Sequence, residues 1–315
     1  MNNISKGILK HKTTRVFYLR RYIPFITFLI LFNSLLEART SKSPASFVIV
    51  NFDKGKICAI EDSLHLLTHS FPAGSVIKIF SGLAFLLDGG DENRVLLCPQ
   101  SQPGSPIPPT CWYRPGHGYL SLKGAIANSC DTYFSKIFSM RRYVRLLNLL
   151  ESYRLISNDD YQKLASLSIQ AKRKAWVGIG KNLRVRPIDL FFAIYAIVSD
   201  GNIYRKADST IILFLRKKNI KKFSRIIKDG MREGSLTGTT SIAQEKLGTK
   251  KIFCKTGTAT YFYEKEDYKK NHGYFIGFYP YPEPQFGILV FLLNGNGKQA
   301  AELGGDLLKK FFDSK

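Results

Sequence analysis

Ser75-Val-Ile-Lys78 sets a hydroxyl and an amine three residues apart, and on a helix groups so spaced emerge on one face within reach of each other. Serine alone is a poor nucleophile near neutral pH. A lysine held in a partly apolar pocket can lose its proton, because burial disfavours the ammonium form, and can then take the hydroxyl proton as general base. The N-terminus of the same helix would supply N–H groups and the favourable dipole end for an oxyanion. A single SxxK is weak on its own, since serine at a helix start is often only a cap. Two further pieces stand downstream in the chain: Ser129-Cys-Asp131, ahead of Thr-Tyr-Phe134, and Lys255-Thr-Gly-Thr258 on a strand-like run. The chain contains a single SxxK and a single KTG, which leaves no choice of register.

The order SxxK, SxD, KTG resembles the active-serine pattern of penicillin-binding proteins and serine β-lactamases. The resemblance narrows to class B penicillin-binding proteins of the elongation type. Its carriers are Phe71-Pro-Ala-Gly-Ser75, Cys111-Trp-Tyr-Arg-Pro-Gly-His-Gly118, Ala125-Ile and Ser129 to Phe134, then Pro187 to Tyr195, Asp200-Gly201, Gly230-Met231 and His272 to Pro280. It runs from about Phe47 to the C-terminus and implies a transpeptidase that cross-links D-Ala-D-Ala stem peptides of peptidoglycan and binds β-lactams. By that resemblance Ser75 would be acylated, Lys78 would be the base, Ser129 would relay a proton toward the leaving group, and Asp131 would help order Lys78 and the substrate amide. Lys255 and Thr256 would receive the substrate carboxylate, and Gly257 and Thr258 would continue the substrate strand, with the N–H groups of Ser75 and Thr258 as oxyanion hole. The alternatives are a D,D-carboxypeptidase, a β-lactamase, which would need a second activated base, and a non-enzymatic β-lactam-binding envelope protein. The large N-terminal pedestal usual in this class is missing ahead of the nucleophile, which suggests a cell-wall synthesis partner protein. No cofactor and no metal are implied.

The elements that must position these groups are legible as patterns. Ser46 to Val50 and Ile57 to Ile60 flank a turn-rich link and read as a hairpin. Ser75 to Leu87 reads as a buried helix stopped by Gly89-Gly90. Residues 98 to 118 hold six of the 13 prolines and read as a structured loop. Ala125 to Phe138 begins a further helix, Met140 to Arg186 is helical and basic, and Pro187 to Val198 is apolar all round, a core helix entered through proline. Leu215 to Arg232 carries eight Lys and Arg against one Asp and reads as a surface helix with a solvated basic face. Lys251 to Tyr261, Gly273 to Tyr279 and Gln285 to Leu293 read as an antiparallel meander, closed by a helix over Gln299 to Phe312. Strands, helices, strands, helix is an α+β order: an antiparallel sheet of about five strands flanked by helices, with an all-helical subdomain, as the resemblance also implies.

Composition fits a folded body, with 44% hydrophobic, 13% aromatic and 23% charged residues in a chain of 315. The net charge of +23 implies attraction to anions. Lys6, Lys10, Lys12, Arg15, Arg20 and Arg21 followed by the apolar run Tyr22 to Leu36 read as an export signal or N-terminal anchor over residues 1–38. Residues 39–315 then form the catalytic domain, in the periplasm or at the outer face of the cytoplasmic membrane. Export and the dispersed cations argue against nucleic acid and leave an anionic membrane surface, envelope polymers or the substrate carboxylate as the anions. Five cysteines, Cys58, Cys98, Cys111, Cys130 and Cys254, leave at least one thiol unpaired. Cys98 and Cys111 bracket the Pro-rich loop, where a bridge and two free thiols are equally open. No CxxC pair or histidine cluster has zinc spacing, His65 and His69 lack a third ligand, His117 reads as loop-shaping, and Cys130 is expected to point away from the chemistry.

Overall fold

The computed structural model describes residues 44–101, 111–200, 202–207, 210–216, 220–249, 251–262 and 269–314. The expected export segment lies outside the described residues. Among the described residues, no helix is long and apolar enough to cross a membrane.

The first hairpin forms as the pattern predicts, β1 (Ala45–Asn51) against β2 (Lys56–Glu61). The meander follows as β7 (Phe253–Phe262), β8 (Lys269–Tyr279) and β9 (Phe286–Leu293). β1 pairs β9 antiparallel, Phe47 opposite Val290 and Ile49 opposite Ile288, so strands from the two ends of the described fold join at the centre of one sheet. Between them, β5 (Asn202–Ala207) and β6 (Thr210–Arg216) extend that sheet beyond β2, giving the order β5-β6-β2-β1-β9-β8-β7. The five expected strands of hairpin and meander all form, and this second hairpin adds two more to their sheet; the correction is at Leu215, which lies in a strand instead of opening a helix. Thr210-Ile-Ile-Leu-Phe-Leu215 is rich in β-branched and large apolar residues, and that preference prevails up to Arg216. The basic helix, α8 (Lys221–Leu236), starts only afterwards.

The helical layers cover the sheet. α1 (Lys78–Leu87) is buried over nearly its whole length and continues a single tight turn, Gly74–Ile77. A short ribbon, β3 (Leu96–Cys98) with β4 (Gly118–Leu120), precedes α2 (Leu122–Ala127) and α3 (Asp131–Lys136). The segment expected as one helix from Ala125 is therefore broken at residues 128–130, where Ser129 takes a left-handed φ of 52°. Met140 to Arg186 resolves into α4 (Met140–Ser152), α5 (Asn158–Ala165) and α6 (Ile169–Val177). Ser139, Ser157 and Ser168 cap them by accepting from the backbone N–H three residues on. α7 (Pro187–Val198) buries every residue but Asp189; Phe52 from the first turn stacks on its Tyr195 at 3.4 Å and 13°. α9 (Ser241–Leu247) and α10 (Gly297–Asp313) complete the fold.

His272 on β8 is fully buried, between the rings of Phe71 and Phe291. Burial, then the nearby positive charge of Arg184, push its pKa down to about 4. Between that value and the ordinary 6.5 of an unfolded chain, the unfolded state binds a proton that the folded state refuses, so stability falls as pH drops through this window. Urea unfolding at pH 7 and pH 4.5 should show wild type losing up to about 3 kcal/mol more than His272→Leu. Equal losses in the two proteins would remove His272 as the cause.

Candidate active site

The nucleophile candidate sits in the tight turn ahead of α1, and two glycines make that turn possible. Gly74 has φ +59°, and Gly178, the residue after α6, has φ +80° and packs so closely that a Cβ on it would lie 2.2 Å from the Gly74 carbonyl oxygen. Ser75 is half-buried there, and Lys78 opens α1 fully buried. Lys78 Nζ donates to Ser75 Oγ at 2.7 Å and to Asp131 Oδ1 at 2.7 Å. A buried ammonium costs several kcal/mol unless paired and hydrogen-bonded, and Asp131, at the start of α3, supplies that pairing. Asp131 Oδ2 in turn accepts the backbone N–H of Trp112 at 3.2 Å.

Ser129 lies in the left-handed turn between α2 and α3. Its Oγ accepts from Lys255 Nζ at 2.9 Å, which ties the second motif to β7. Lys255 is buried and also donates to the Thr256 carbonyl at 2.7 Å. Burial first, then the like charge of Lys78, hold its pKa well below the usual lysine range, partly offset by Asp131. β7 lies against the nucleophile turn at Gly257, where a Cβ would meet Val76 Cγ2 at 2.8 Å; any side chain there would push strand and serine apart. Thr256 Oγ1 donates to Thr239 Oγ1 at 2.9 Å, and Thr258 Oγ1 accepts from the backbone N–H of Gly297 at 3.0 Å.

All eight residues singled out in the sequence thus converge. Ser75, Ser129, Asp131, Thr256, Gly257 and Thr258 line one cleft of about 670 Å³. Lys255 is not among the residues lining the cleft, and its ammonium is turned onto Ser129. Sequence reasoning missed Trp112, Thr239 and Lys298 in the same cleft. Thr239 is held by donating to the Ala127 carbonyl, a contact across more than a hundred residues that no local pattern signals.

Beside α3 three of the five cysteines gather around His117. All five are free. The helix is capped by Cys130, whose Sγ accepts from the Tyr133 N–H at 3.4 Å. This sulfur joins Cys98, Cys111 and His117, whose ligand atoms all lie within 4.8 Å of one another. The Cys111 and Cys130 sulfurs are 3.9 Å apart, and His117 Nδ1 is 3.4 Å from Cys111 Sγ and 3.6 Å from Cys98 Sγ. A tetrahedral ion with Zn–S of ~2.3 Å and Zn–N of ~2.0 Å would space its ligands by ~3.5 to 3.8 Å, so these four residues can hold zinc. The hydrogen bond with Cys130, and more weakly that with His117, lowers the Cys111 pKa against the opposing effect of burial, and the thiolate is the metal-binding form. The order Cys98, Cys111, His117, Cys130 lacks the short CxxC spacing, which is why the pattern reads as empty.

A family model for the penicillin binding protein transpeptidase domain matches residues 45–312. Among curated proteins, the peptidoglycan D,D-transpeptidase MrdA of Salmonella typhimurium is 23% identical over 297 residues, covering 77% of this chain and 46% of that protein. The chain therefore spans about half the length of the curated relatives it matches. Among solved structures, the apo transpeptidase domain of Burkholderia pseudomallei penicillin-binding protein 3 superposes with a TM-score of 0.70 at 19% identity, covering 93% of this chain and 92% of that one. The Helicobacter pylori complex between PBP2 and MreC gives 0.72 at 19% identity, over 91% of this chain and 62% of that chain.

Two outcomes follow from the geometry. Protein purified without chelator should carry about one zinc per chain, and removing it should lower Tm by several degrees in wild type but not in Cys130→Ser; metal-free protein whose Tm ignores both chelator and added zinc would leave the cluster as packed thiols. Gly178→Ala should destabilise the fold by about 2 kcal/mol or more through strain at positive φ and the clash with Gly74, read as a lower urea midpoint.

Proposed function

Because the chain belongs to the family of penicillin binding protein transpeptidase domains, we propose that it is an acyl-serine peptidoglycan D,D-transpeptidase with Ser75 as nucleophile. The observation that carries this reading is the buried Lys78 bonded at once to Ser75 Oγ and Asp131. Once its ammonium has passed a proton to the bonded Asp131 carboxylate, Lys78 Nζ takes the Ser75 proton as Oγ bonds the carbonyl carbon of the penultimate D-Ala. The developing oxyanion is met by the N–H groups of Ser75 and Thr258. The C–N bond to the terminal D-Ala then breaks, and the leaving amine receives its proton through Ser129, whose Oγ is fixed by Lys255. An amine of a neighbouring stem peptide attacks the acyl-serine and releases the enzyme.

In this reading Thr256 and Thr258 face the substrate carboxylate, with Lys298 at the cleft as the solvent-facing cation, and Lys255 acts on that carboxylate through Ser129 and the local field. The donor peptide lies along β7 as an added strand. β-Lactams enter as mimics of the same peptide. Residues 1–38 serve as export signal or anchor, which puts the domain outside the cytoplasm, and a partner protein of cell-wall synthesis helps to orient it. The MreC complex of the Helicobacter pylori PBP2 supports that class of partner.

Mass spectrometry of protein lacking residues 1–38, mixed with a penicillin, should show an adduct that persists for hours and is absent from Ser75→Ala. Lys255→Ala should slow its formation by at least about a hundredfold, as loss of a preorganised charge in an active site does. Fast return to free mass with hydrolysed drug would mean a β-lactamase, and no adduct in wild type would sink the acyl-serine reading.

A further inference from the structure

We propose that Trp112 is a positioning residue that clamps the second-motif turn and forms a wall of the substrate cleft; this rests on the acyl-serine reading above. The turn needs a clamp. Ser129 is a non-glycine residue at φ 52°, a strained conformation that persists only where its surroundings over-determine it. From within the turn, the Ser129 N–H donates to the Ile126 carbonyl and the Cys130 N–H to that of Ala125. From outside, Trp112 supplies the rest. Its indole Nε1–H is shared between the carbonyls of Asn128 and Ser129, 3.2 Å from each, while its backbone N–H holds Asp131 Oδ2. One residue thus fixes the carbonyl side of Ser129 and the carboxylate that pairs with Lys78.

Its own position is set from behind. Cys111, the preceding residue, is buried against Cys130 and His117, and the His117 ring meets the indole edge-on at 5.6 Å. The outer part of the ring is left open: Trp112 is 55% exposed and lines the cleft beside Ser75. A tryptophan anchored by its N–H and bare on its face has an amphipathic ring suited to the apolar body of a bound peptide or β-lactam.

A positioning role and a wall role separate in kinetics. Trp112→Phe keeps an aromatic face and removes the N–H; Trp112→Ala removes both. In stopped-flow acylation by a chromogenic cephalosporin, the limiting rate for Trp112→Phe should fall about fivefold or more, as loss of one shared hydrogen bond at a strained turn predicts, with half-saturation within twofold of wild type and Tm unchanged. Trp112→Ala should in addition raise the half-saturation concentration. A limiting rate for Trp112→Phe within twofold of wild type, or a loss wholly in half-saturation, overturns the clamp. The only other tryptophan, Trp176, is fully buried, so wild-type emission should shift on acylation and that of Trp112→Phe should not; an emission that ignores the ligand overturns the wall. Amide exchange across residues 126–131 tests the clamp without any ligand, and stands even if wild type fails to acylate: it should quicken several-fold in Trp112→Phe, and unchanged exchange overturns the proposal.

Discussion

A single ammonium group organises the molecule. Lys78 Nζ has no exposure to water, and a charge so placed must find its counter-charge and acceptors inside the protein or not be charged at all. It has two acceptors, and they come from different parts of the chain: Ser75 one turn before it, and Asp131 more than fifty residues on. To bring them together the chain must put Ser75 in a tight turn rather than in regular helix, and must break α2 from α3 so that a carboxylate heads the second helix. Removing either member of such a pair costs on the order of 3–5 kcal/mol because the other is stranded. The left-handed Ser129, the Trp112 N–H and the glycines at 74 and 178 are the conditions under which that pair can exist.

Lys255 is the complement of this arrangement. Buried and beside a second cation, it is held to a lowered pKa, a burden that an apolar residue would not carry. Its hydrogen bonds to Ser129 and Thr256 make it a strut between the meander and the helical layer. The site is thus assembled from three segments, each of which would be an ordinary turn or strand without the other two.

The motifs, the first hairpin, the meander and the proline-entered core helix α7 were legible because each has a local cause: residue spacing, alternation or a fixed backbone angle. What escaped is what depends on distance or competition. The β5–β6 hairpin lies beside a strongly basic stretch whose charge reads as helix surface, and only the run Thr210 to Leu215 argues otherwise. The assembly of Cys98, Cys111, His117 and Cys130 has no compact spacing, because a ribbon contributes one member, a Pro-rich loop two and a helix start one. The inward turn of Lys255 depends on Ser129 being left-handed, which its sequence neighbourhood does not announce.

The sheet order ends at β7, the strand that carries Lys255 to Thr258. Most sheet proteins blunt such a border with bulges, prolines or charge, since a bare row of backbone donors and acceptors recruits any extended chain. Here the border has to stay bare if peptides are to be read along it, so protection must come from the surroundings. Gly238, Thr239 and Ile242 across the cleft form a wall facing that row and leave a slot rather than an open flank. The protein remains sticky toward a single thread while shielded from a second sheet, and selectivity between substrate and self-association becomes a question of slot width.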